Sequence, residues 1–166
     1  QQPQSEKFVY RKPDFMPAYV ALGTLLERVG DLDGAKEAYR KVLTTNSRFA
    51  PAANNLAWLM AQEENPDLGE ALRLAMLAKQ QIPNDPHVSD TLGWVHYRRG
   101  AFDLAASQFA DAVASAPHLP TYRYHLALAL AAKGEREKAR EELKNSLEGG
   151  LPFPEREKAE KLLGSI

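Results

Sequence analysis

Four copies of one helical phrase, recurring at about 34 residues, constrain this chain more than any other feature. A Leu followed by a small residue occurs at Leu22–Gly23, Leu56–Ala57, Leu92–Gly93 and Leu126–Ala127, with spacings of 34, 36 and 34 residues. A second anchor, at Ala35, Ala71, Ala105 and Ala139, follows with spacings of 36, 34 and 34. Two extra residues therefore sit between the anchors of the second unit. The stretch EENPDLG, with the turn signal Asn65–Pro66, is where the pattern puts them, near 62–68. Lengthening a connecting loop costs little chain entropy, so the period survives the insertion.

Each unit divides into two amphipathic patterns. Leu22, Leu25, Leu26 and Val29 recur at helical spacing until GDLDG breaks the run. AKEAYRKVL then places Ala35, Ala38, Tyr39, Val42 and Leu43 on one stripe. Proline placement divides the chain independently. Pro17, Pro51, Pro86 and Pro120 fall where units open, and the first turn of a helix tolerates a missing N–H. The expected organisation is an all-α stack of helix pairs with units at 16–49, 50–85, 86–119 and 120–151. Residues 1–15 read as the remnant of a preceding repeat or a linker, and 152–166 as a C-terminal capping helix with a narrow stripe of Ala159, Leu162 and Leu163.

These residues resemble the tetratricopeptide (TPR) repeat family. Tyr19, Leu22 and Gly23 match its first helix, Gly30, Gly100 and Gly134 its turn, Ala105, Phe109 and Ala112 its second helix, and Pro117 its closing proline. The departures are Ala75 and Leu143 in the aromatic slot, and Val42 and Ser146 in the small slot after it. The resemblance implies an α-solenoid, a right-handed superhelix of antiparallel helix pairs whose first helices line a concave groove. The phrases NNLAWL, DTLGWV and RYHLALAL also resemble the C-terminal repeats of bacterial TPR lipoproteins linked to exosortase (PEP-CTERM) and exopolysaccharide systems. That narrower likeness favours a periplasmic or outer-membrane-associated setting over the cytoplasm, which the sequence otherwise leaves open.

No residue pattern points to catalysis or to a cofactor. Cysteine is absent, and none of the metalloprotease, phosphate-loop, nucleophile-elbow or dinucleotide motifs occurs. DLDG at 31–34 begins like a calcium loop, but Ala35 takes the next ligand position, so it reads as a turn. His87, His96, His118 and His125 lack a metal-pair spacing; His96 is expected on the packing side of its helix, His87 and His125 on the other. A net charge of −1 supplies no field for nucleic acid, and the apolar runs are too short to insert in a membrane.

The expected function is therefore a non-catalytic scaffold that binds a protein or peptide in the groove. Aromatic and Arg side chains make the strongest anchors, and Asn can hold an extended backbone through both donor and acceptor. The expected contact residues are Asn54, Asn55, Trp58, Asp90, Trp94, Tyr97, Arg98, Tyr124, His125 and Leu128. The competing reading makes both Trp rings packing elements, in a structural spacer or self-assembly module. The edge of the first unit is expected to be partly exposed unless another segment or a second copy covers it, which would allow a homo-oligomer.

Overall fold

The computed structural model describes residues 15–149 and 152–166. Among them run nine α-helices and no strand: α1 (Met16–Arg28), α2 (Leu32–Thr45), α3 (Ala50–Gln62), α4 (Leu68–Gln81), α5 (Pro86–Arg98), α6 (Phe102–Ser115), α7 (Pro120–Ala132), α8 (Arg136–Glu148) and α9 (Arg156–Ser165). Apart from Phe15, the proposed remnant at 1–15 lies outside the described residues. Each odd helix from α1 to α7 packs on the even helix after it, and α2, α4 and α6 also lie against the first helix of the next pair. α3 touches α5 and α5 touches α7, so first helices form a wall of their own. α9 packs on α8, burying Ala159.

Local chemistry sets the helix ends. Pro17, Pro51, Pro86 and Pro120 stand in the first turns of α1, α3, α5 and α7. Asp31 accepts the Gly34 N–H at 2.9 Å and caps α2, which is the role of the DLDG stretch. Gly30, Gly100 and Gly134 turn the chain within three pairs at φ of 85°, 75° and 87°, where a Cβ is strained. In the second pair the five residues 63–67 make the turn instead. Glu63 pins it twice: its carboxylate accepts from Lys36 at 2.8 Å, and its carbonyl accepts from Arg98 at 3.1 Å.

Volume complementarity inside each pair decides how closely its helices approach. Gly23 lies against the ring of Tyr39, and a Cβ there would collide with it. A Cβ on Gly93 would stand 2.6 Å from Phe109 Cδ1. Where the first helix carries Ala57 or Ala127 instead, the facing slot holds the smaller Ala75 or Leu143, and all four are fully buried. The departures from the family pattern are therefore compensated pair by pair, which keeps the interior dense. Ser146 is buried too and returns its hydroxyl to the Leu143 carbonyl at 2.7 Å.

Candidate partner-binding surface

The wall of first helices brings the two Trp rings together. Trp58 on α3 and Trp94 on α5 hold equivalent slots, and their ring centroids are 6.2 Å apart. Tyr97 stacks on Trp94 at 5.3 Å, one helical turn further on, and Phe102 at the start of α6 extends the row, 5.4 Å from Tyr97. Trp58, Trp94 and Tyr97 are half-buried, as are Asn55 and Leu128 beside them. Sequence reasoning missed Phe102, because its slot holds Leu32, Leu68 and Arg136 in the other units and carries no repeated aromatic signal.

Other expected contact residues are placed differently. Asn54, Asp90, Tyr124 and His125 are buried, at 2%, 3%, 6% and 4% exposure. The reason is the close approach of neighbouring first helices, which turns these slots toward the adjacent helix. Asp90 on α5 accepts from His125 Nδ1 on α7 at 2.7 Å, a tie between adjacent units. Trp94, Phe109, Tyr124 and Trp58 surround that imidazole at 5.2, 5.5, 5.8 and 6.4 Å. Asn54 donates to Asn55 Oδ1 at 3.3 Å. Arg98 spends its guanidinium on the C-terminal end of α3, donating to the Ala61 carbonyl at 2.7 Å as well as to Glu63. It fastens α5 to α3. His96 is half-buried and held below the usual imidazole range by burial and then by Arg99, while His87 is exposed.

Beneath the wall, the Tyr39 hydroxyl donates to Glu27 and lies 3.4 Å from Thr24 Oγ1. Burial, reinforced by the Glu27 carboxylate, pushes the Tyr39 phenol up to about 12. Burial, then the negative fields of Asp90 and Asp85, pushes Tyr122 up to about 12. An exposed phenol in the unfolded chain ionises near 10, so the folded state holds these protons more tightly. That stabilisation is full below about pH 10 and is lost as pH rises through about 12. Thermal melts between these limits should show a falling Tm, with a shallower fall in Tyr39→Phe; a flat Tm would contradict the assignment.

Comparison with known proteins gives the architecture its family. Tetratricopeptide repeat models match residues 17–48 and 91–150. The chain belongs to the tetratricopeptide repeat family. A TPR repeat-containing protein of Pseudomonas aeruginosa is 33% identical over 76 residues, 46% of this chain but only 13% of that protein's length. Among solved structures, PilW, a widely conserved type IV pilus biogenesis factor, superposes with a TM-score of 0.77 at 20% identity, covering 97% of this chain and 76% of that one. MamA gives 0.72 at 19%, covering 93% and 81%. A thermophilic TPR protein of Thermus thermophilus gives 0.73 at 20%, covering 96% and 85%. At these identities the structural likeness concerns the fold, a right-handed TPR superhelix of antiparallel helix pairs. Such a TPR fold is a protein-interaction scaffold and points to protein partners. Among the described residues no helix is long and apolar enough to cross a membrane.

Proposed function

We propose that this TPR chain is a non-catalytic scaffold holding a protein or peptide segment against its inner wall, within a bacterial envelope or secretion assembly. The observation that carries the reading is the continuous half-open row of Trp58, Trp94 and Tyr97 across α3 and α5. Large rings already ordered by their neighbours lose little freedom on binding, and such anchors dominate interface energetics. Asn55, half-open on the same helix as Trp58, already accepts from Asn54 and has the second lone pair of its Oδ1 left for a peptide N–H. The setting rests on the narrower sequence resemblance.

A structural role competes for the same rings. Trp94 packs against both apolar clusters of the molecule, one around α2–α5 and the other around α6–α9, whereas Trp58 packs against the first. Pull-down from native cell extract separates the two roles. Trp58→Ala combined with Trp94→Phe, which keeps a ring between the clusters, should retain the helical circular dichroism signal. Loss of the Trp58 ring and reduction of Trp94 to the smaller Phe should weaken capture by roughly tenfold or more. Undiminished capture by a folded variant would overturn the groove assignment and favour the spacer reading.

A further inference from the structure

The Trp58–Trp94 pair stands at a joint between first helices that is built differently from the next one along. In the α5–α7 joint, Asp90 meets His125, and Phe109 of the intervening second helix lies 5.5 Å from the imidazole. The repeat register places Asn54, Thr91 and Ala75 in those same slots of the α3–α5 joint. All three are buried, Thr91 and Ala75 completely. A hydroxyl and a methyl group thus stand where the next joint holds an imidazole and a phenyl ring. With less volume between them, α3 packs more closely on α5 than α5 does on α7.

Beside the rings, no hydrogen bond sets that distance. Asn54 Oδ1, Thr91 Oγ1 and Trp94 Nε1 are buried and have no hydrogen-bond partner among the described residues. Arg98 fastens α5 to α3 further along, at the Ala61 and Glu63 carbonyls. What holds the two Trp side chains at their separation is the volume of the side chains behind them.

The separation has a chemical consequence. A flat group held between two rings needs about 7 Å between them, twice the carbon–carbon contact distance of about 3.5 Å. At a centroid distance of 6.2 Å and a tilt of 45°, nothing fits between the Trp faces. The half-open sides of the two rings join into one apolar ledge. We propose that Thr91, with Ala75 beside it, is a positioning residue that closes the Trp pair into this ledge. The ledge accepts a bulky aliphatic or aromatic side chain of the partner lying across both rings, and it excludes a flat group inserted between them. This rests on the Trp row being the contact surface and adds what that surface selects.

Thr91→His with Asn54→Asp tests the proposal by copying the α5–α7 joint into α3–α5. The larger ring should force the helices apart. The Trp–Trp exciton couplet in circular dichroism should then lose most of its amplitude while the helical signal stays, and capture from native extract should fall roughly tenfold. Thr91→Leu, of intermediate volume, should lower the couplet part-way and keeps the test open should the double change fail to fold. Thr91→Val removes only the unpartnered hydroxyl and should retain both couplet and capture. A couplet unchanged by the larger residues, or lost in Thr91→Val, would overturn the positioning role. A lost couplet with undiminished capture would overturn the selection. The couplet needs no partner, so failure of the contact-surface reading, seen as capture that survives Trp58→Ala with Trp94→Phe, is told apart from failure of this one.

Discussion

Phe109→Ala is expected to destabilise the chain by about 3–5 kcal/mol, measured as unfolding free energy in denaturant. Phe109 is fully buried on α6, closes against Gly93 of α5 and lies 5.5 Å from the His125 ring. Removing it leaves a cavity between two helices whose separation the ring itself sets. Gly93→Ala attacks the same contact from the other side. Ala gains about 1 kcal/mol of helix propensity over Gly, but the added Cβ must displace the ring, a crowding that costs about 1–3 kcal/mol. A net loss of up to about 2 kcal/mol is expected. The decisive variant is Gly93→Ala with Phe109→Leu, which copies the Ala127/Leu143 pairing of the fourth unit. It should be more stable than the sum of its two single changes predicts. Strict additivity would show that the two slots are not energetically coupled, contrary to their contact.

Asp90→Ala is expected to cost about 3 kcal/mol, because it strands the His125 Nδ1–H in a site walled by aromatic rings. The partners are 3% and 4% exposed, so water cannot readily replace the lost carboxylate. Asp90→Leu with His125→Leu removes both polar groups and should recover most of the loss, since a well-packed apolar pair often matches a buried polar one. The same double change releases the tie between α5 and α7 that fixes Trp94 from one side. Near-ultraviolet circular dichroism, reporting Trp58 and Trp94, should therefore change even where stability is restored. Stability equal to that of the Asp90→Ala single variant, together with an unaltered Trp signal, would refute both the pairing energy and its orienting role.

The fold was legible because repetition multiplies weak signals. One Leu–small pair has little meaning, but four in register, each with an alanine anchor at its helix-pair distance, leave few alternatives. The adjacency of Trp58 and Trp94 followed from the same arithmetic, since equivalent slots on stacked units are neighbours. The remainder of the candidate surface was less legible. Facing direction can be read from helical period, but exposure depends on how near the next helix stands. Asp90 and His125 share the general facing of the Trp pair and yet are buried, because each fills the gap between adjacent first helices. Arg98 was expected as an anchor for a partner; its carbonyl acceptors at Ala61 and Glu63 lie 37 and 35 residues away, beyond any local pattern.

The amino-acid order alone determined the period, the helix pairs, the prolines in first turns and the small residues where helices must approach, all properties of one unit and its copies. Only the tertiary structure decided which polar groups on the wall of first helices remain available and which are consumed in joining one unit to the next. The physical reason is that periodicity fixes the direction of a side chain from its own helix axis. Desolvation and hydrogen bonding are set by the distance to a neighbouring helix, which is the joint result of many side-chain volumes across the stack.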